Sequence, residues 1–203
     1  MTEGNYYHTI EKSTSASFTD RGSRFIAFAY AVDSIDAFKK RLTEVKALHP
    51  KSSHYCFAYR IGSDGMTFRA TDAGEPSGSA GRPILGQIDS RGLTNTAVIV
   101  VRYFGGTLLG IPGLIHAYKT TASLALQLTP VMKKPVLVKY VLECDYTVIN
   151  ELLKTLRAYD CIIENQAMQL FCHYTVNVPL LHEQQVMGEL GSIAGLVVKK
   201  MLT

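Results

Sequence analysis

At 203 residues, with 47% hydrophobic and 19% charged residues, the chain has the composition of a globular protein large enough for one large or two small domains. Its net charge of +4 is mild, no apolar run is long enough to cross a bilayer, and Met1-Thr2-Glu3-Gly4-Asn5 has neither the basic start nor the apolar core of a signal peptide. Cys56, Cys144, Cys161 and Cys172 show no CxxC spacing and no paired framework, so the expectation is a reduced, cytoplasmic protein without a membrane partner.

The pattern predicts strands over residues 7–14 and 24–32, the second containing Phe25-Ile26-Ala27-Phe28-Ala29-Tyr30. Ser34 is placed to cap a helix running to residue 48, with Ile35, Phe38, Leu42, Val45 and Leu48 as one buried stripe. Strands over 54–61 and 66–70 flank the hairpin signal Gly62-Ser63-Asp64-Gly65. A glycine-rich stretch over 72–83 follows, then a short helix from Pro83 and a buried strand over 96–102. A second glycine-rich stretch, 102–113, leads to a helix over about 113–128. Thr129-Pro130-Val131-Met132-Lys133-Lys134-Pro135 stops that helix and reads as a linker, which gives a first domain over 1–130 and a second over 136–203.

The second domain reads as a strand over 136–144 and an amphipathic helix over 147–159, with Ile149, Leu152, Leu153 and Leu156 inward. A strand pair over 161–164 and 168–178 turns at Asn165-Gln166; a helix over 180–190 and a strand over 194–201 close the domain. That β-α-β-β-α-β order is ferredoxin-like, and the first domain reads as an α+β sandwich. Residues 1–130 hold 14 Lys and Arg against 10 Asp and Glu, while residues 131–203 hold 7 against 7. The excess charge therefore accompanies the glycine-rich stretches, which is compatible with an anionic partner.

Those stretches, Asp72-Ala73-Gly74-Glu75-Pro76-Ser77-Gly78-Ser79-Ala80-Gly81-Arg82-Pro83 and Arg102-Tyr103-Phe104-Gly105-Gly106-Thr107-Leu108-Leu109-Gly110-Ile111-Pro112-Gly113, hold the candidate site. Neither ends in the Gly-Lys-Ser/Thr of a P-loop, and neither contains GxGxxG. What remains is a generic anion cradle. Amides of Ser77, Gly78, Ser79 and Gly81, with those of Gly105 and Gly106 and the helix start after Pro112, would face a phosphate. Arg82 and Arg102 would supply charge, assisted by Arg69, His116 and Lys119, and Tyr103 and Phe104 would offer flat faces for bases. The opposing reading has these glycines make tight connections, with Tyr103 and Phe104 in the core.

A hydrolase would use Ser77 or Ser79 as nucleophile, His54 or His116 as base, and Asp72 or Glu75 as orienting acid. The GxSxG elbow is absent, and both serines also suit turns whose hydroxyls satisfy local backbone. No tetrahedral metal set appears and no cofactor is implied. Asp72 with Glu75 could hold Mg²⁺ beside a phosphate; the alternative is that both carboxylates accept from the loop's own N–H groups.

Ser53-His54-Tyr55-Cys56-Phe57-Ala58-Tyr59-Arg60, residues 72–85 and residues 100–118 resemble, in order and spacing, the IMPACT/YigZ family. Its central motif is approximately DDGEPSGTAGRPIL followed by VVTRYFGGxxLGxGGLVRAY. This chain departs from it with Ala73 for an acid, Ser79 and Val101 for threonines, Pro112 for a glycine and His116 for an arginine. The resemblance implies a ribosomal protein S5 domain 2-like first domain and a ferredoxin-like second, a pair that recurs in the last domains of elongation factor G. Eukaryotic members act in translational control by competing for an activator of an initiation-factor kinase, and they carry an additional amino-terminal domain. The resulting expectation is a non-enzymatic protein that binds RNA or the ribosome. The alternatives are an enzyme acting on a small phosphorylated or peptide substrate through Asp72, Glu75, Ser77 and His54, and a module for a protein partner in translational control.

Overall fold

The computed structural model describes residues 4–201. The chain divides into two compact units, Met1–Lys134 and Pro135–Thr203.

The first unit runs β1 (Tyr6–Ile10), β2 (Thr14–Asp20), β3 (Ser23–Ala31), α1 (Ile35–Leu48), β4 (His54–Ile61), β5 (Thr67–Thr71), α2 (Gly81–Ser90), β6 (Thr96–Tyr103), α3 (Gly110–Gln127) and β7 (Val131–Pro135). Five strands form an antiparallel sheet in the order β2-β3-β6-β4-β5. Its centre is β6, an apolar run because both of its faces are covered. Val98 and Val100 join Ile84, Ile88, Leu114, Ala117 and Tyr118 beneath α2 and α3. Ala97, Ile99 and Val101 join Phe38 and Val45 of α1 on the other face. Ser34 caps α1, its Oγ accepting from the Ala37 N–H at 3.2 Å. The apolar stripe of α1 is narrower than its periodicity predicts: Phe38 and Val45 are buried, whereas Ile35 and Leu48 at its ends are exposed.

Three further expectations change in this unit. Thr14–Asp20, a run of small polar residues, forms the edge strand β2, and α3 starts at Gly110, three residues earlier than its pattern suggests. The expected linker is itself partly a strand, since β7 pairs with β1.

The second unit comprises β8 (Leu137–Cys144), a 3-10 turn and α4 (Ile149–Ala158), β9 (Ile162–Met168), β10 (Cys172–Pro179), a second 3-10 turn and α5 (Glu183–Ser192), and β11 (Val197–Lys200). Its sheet order is β11-β8-β10-β9, with every neighbouring pair antiparallel, the arrangement of a ferredoxin-like fold. Tyr140, Leu142, Tyr174 and Val176 meet Leu152, Leu156, Val186 and Leu190 in one core, so α4 and α5 cover one face. Asn165-Gln166 is no turn: both lie inside β9, and the reversal comes between Met168 and Cys172. Among the described residues no helix is long and apolar enough to cross a membrane.

Candidate functional site

Strand register brings the site together. His54 on β4 and Phe25 on β3 both lie opposite Arg102 on β6, and Cys56 lies opposite Val100. Alternation puts His54, Cys56, Val100 and Arg102 on the face that packs beneath α2 and α3. The first glycine-rich loop folds down onto that face. Glu75 accepts from Arg102 Nη1 at 2.8 and 3.0 Å and from the Tyr118 hydroxyl at 2.7 Å. Arg102 Nη2 reaches Ser23 Oγ at 3.4 Å, and its guanidinium lies 5.4 Å from the Phe25 ring centre and 5.5 Å from that of Phe104. Arg102 is 5% exposed and Glu75 9%, so this is a buried ion pair joining the two glycine-rich segments at their bases.

Beneath it, Cys56 Sγ lies 2.9 Å from the Asp72 carbonyl oxygen and 3.3 Å from the Tyr118 hydroxyl. Burial pushes the Cys56 thiol up to about 12. Burial also raises Tyr118, with its Cys56 and Glu75 neighbours adding to the effect. Both are therefore protonated donors at neutral pH rather than nucleophiles.

Asp72 organises the loop. Its Oδ2 accepts from the Gly78 N–H at 2.8 Å, and its Oδ1 accepts from the Ala80 and Gly81 N–H groups at 2.9 and 2.8 Å. Burial alone would raise its carboxyl, but the amides of Gly78, Gly81 and Ala80, helped by the Arg82 charge, outweigh that and leave it below the usual carboxylate range. Of the amides expected to cradle an outside phosphate, those of Gly78 and Gly81 thus already serve a carboxylate of the same chain, and that of Ser79 donates to the Pro76 carbonyl at 3.0 Å.

The remaining candidates separate into buried and exposed groups. Ser79 is buried and its hydroxyl donates to the Pro76 carbonyl at 2.6 Å, which rules it out as a nucleophile. Gly81 has no room for a Cβ, which would stand 2.5 Å from the Thr71 nitrogen. Gly105 is likewise a contact rather than an open amide: its N–H donates to Ser23 Oγ at 3.2 Å, and a Cβ would lie 1.9 Å from the Gly22 carbonyl carbon. Tyr103 is half-buried, with its hydroxyl 2.9 Å from His49 Nδ1. Arg69, Ser77, Arg82, Phe104, Gly106, His116 and Lys119 are exposed, His116 edge-on to Phe18.

His54 Nδ1 lies 2.9 Å from the Ala73 carbonyl oxygen, which only accepts, so the proton of the neutral ring sits on Nδ1. Its Nε2 is 4.0 Å from Glu75 Oε1, beyond hydrogen-bond reach of a carboxylate already engaged by Arg102 and Tyr118. No triad assembles around these residues. Among the described residues no three His, Cys, Asp or Glu side chains converge as a metal site.

Sequence reasoning gave Tyr118 and Ser23 no role. Tyr118 carries a signal in retrospect, a polar tip four residues after Leu114 on the buried stripe of α3. Between the loop and β5 a cleft of about 260 Å³ is lined by Ala70, Asp72, Ser77, Gly78, Gly81 and Arg82. A larger hollow of about 320 Å³ lies at the other end of β4 around Arg60 and Asp89, which are already paired at 2.8 Å, and it shares no residue with the glycine-rich loops.

The family model for the Impact N-terminal domain matches residues 21–126, more than half of the chain. The chain belongs to the IMPACT family. His54, Cys56, Asp72, Glu75, Arg102 and Tyr118 all fall inside that match. The IMPACT family member YigZ of Escherichia coli is 35% identical over 159 residues, which span 77% of this chain and 78% of that protein. The IMPACT family member YvyE of Bacillus subtilis is 33% identical over 172 residues, spanning 85% and 76%. The crystal structure of a hypothetical protein, 29% identical, aligns over 98% of both chains with a TM-score of 0.78.

Proposed function

We propose that the protein is a non-enzymatic, nucleic-acid or ribosome-associated binding protein linked to the regulation of translation. On this reading its first unit meets backbone phosphates through Arg82 and Arg69. The observation that carries the reading is Arg82: an exposed guanidinium at the rim of the 260 Å³ cleft, on a loop whose Asp72 carboxylate is already engaged by three amides of the same loop. A loop locked by Asp72 and by the Glu75–Arg102 pair holds that charge in place before any ligand arrives, which lowers the ordering cost of binding. The link to translation rests on family membership. An enzyme at the same place would need His54 to activate Ser77, yet His54 hydrogen-bonds the Ala73 carbonyl and its free nitrogen faces an occupied carboxylate.

The test is anisotropy of a dye-labelled single-stranded RNA with the full chain over a salt series. The expected result is an affinity that falls with salt by about 0.7 log units per log unit for each phosphate contact. Arg82→Ala should weaken binding and reduce that slope by about one contact. Binding that ignores salt, or an Arg82→Ala, Arg69→Ala double variant that binds as the parent does, overturns the reading.

A further inference from the structure

The second glycine-rich loop and the first turns of α3 present apolar side chains outward. Phe104 is 49% exposed, Leu108 83%, Ile111 52% and Ile115 38%. Ile111, Ile115 and Lys119 recur at four-residue steps, so they line one stripe of α3. Folding does not require this display, because the neighbouring Leu109, Leu114, Ala117 and Tyr118 supply what α3 gives the core. The segment is also held firmly: Gly105 presses against Gly22, and Arg21 Nη2 of the β2–β3 turn donates to the Leu109 carbonyl at 3.3 Å. A fixed apolar display with a polar rim marks an interaction surface rather than incidental exposure.

The charge near it in the chain is mostly positive. From Ser90 to Lys134, the part of the first unit that holds it, the chain has no Asp or Glu, against five Lys and Arg, one of them the buried Arg102 paired with Glu75. Arg21 stands at the start of α3, whose first turn has no side-chain cap and so adds partial positive charge, and exposed Lys119 extends the stripe. Asp20, 3.7 Å from Arg21, offsets part of this. Leucine and isoleucine give bases no flat face, and Phe104 is the single aromatic among the four, so the surface suits a polypeptide better than a nucleic acid.

We propose that Phe104, Leu108, Ile111 and Ile115, rimmed by Arg21 and Lys119, form a docking site for a protein partner that presents an acidic amphipathic segment. Its aliphatic or aromatic anchors cover the apolar stripe, and its Asp and Glu residues meet the rim and the first turn of α3. The site is separate from the cleft at Arg82.

The experiment measures binding of the full chain to a dye-labelled synthetic helical peptide with Leu and Phe on one face and Glu on the other. A matched peptide with Lys for Glu, a single-stranded RNA and anionic phospholipid vesicles serve as the other arms. The Glu peptide should bind about tenfold or more tighter than the Lys peptide, and L108D/I111D should weaken it by about tenfold or more. R21E/K119E should reverse the preference toward the Lys peptide, while the control K40E, on α1 across the sheet, changes nothing. Leu108 is a surface residue, so its variant should fold, and circular dichroism checks that it does. Equal affinity for the two peptides, no peptide binding at about 100 μM, or loss of RNA or vesicle binding alone in L108D/I111D overturns the proposal.

Discussion

The two glycine-rich segments look alike in composition and are built for opposite ends. In residues 72–83 the flexible backbone bends its N–H groups inward onto Asp72, and Glu75 is drawn under the loop to Arg102. In residues 102–113 glycine instead removes bulk where two backbones touch, at Gly105 against Gly22, and the residues that follow turn apolar side chains to solvent. Glycine therefore marks a demanding backbone position in both, and a ligand-binding amide in neither by itself.

Breaking the first segment at its buried pair has the largest expected effect. Arg102→Met leaves the Glu75 charge buried with one partner fewer, and urea unfolding should report a loss of about 3–5 kcal/mol. Asp72→Asn should cost about 1.5–3 kcal/mol, as three amides lose a charged acceptor. Because the folded carboxyl of Asp72 is depressed, its contribution is complete above the unfolded value near 3.9 and disappears as pH falls through the lower folded value. Stability against pH in acid should therefore be flatter in the Asn variant. Gly105→Ala forces the contact with Gly22 apart and should cost about 1–3 kcal/mol in a thermal melt. Leu108→Asp closes the series: on a surface that folding does not use, stability should stay within about 0.5 kcal/mol. A large loss there would mean that the two segments are more alike than the geometry indicates.

Much of this was legible from periodicity. The apolar runs of β4 and β6, the period-2 patterns of β8 and β10 and the period-3.6 patterns of α1 and α4 come from burial, which sequence records directly. Edge strands record it poorly. β2 is small and polar, and only Ala16 and Phe18 pack against the core, while β9 is exposed along its length, so its Asn-Gln step mimics a turn. Within the site, residue type identified Asp72, Glu75 and Arg102, and direction was the missing information. The strand's pattern held part of it: β6 is buried on both faces, and Arg102 shares one of them with Val98 and Val100, which argues against an outward guanidinium. Which amides Asp72 would collect depends on loop geometry that no spacing rule gives.

The pairing of β7 with β1 has a practical consequence. Val131–Pro135 completes a ribbon, and just ahead of it the Pro130 carbonyl accepts from the Glu11 N–H at 3.1 Å and Thr129 Oγ1 from the Lys12 N–H at 3.3 Å. A gene fragment that stops where the long helix ends would strip β1 of its mate and expose a raw edge prone to self-association. Excising the amino-terminal half in working order means cutting after residue 135, with the lysines at 133 and 134 kept.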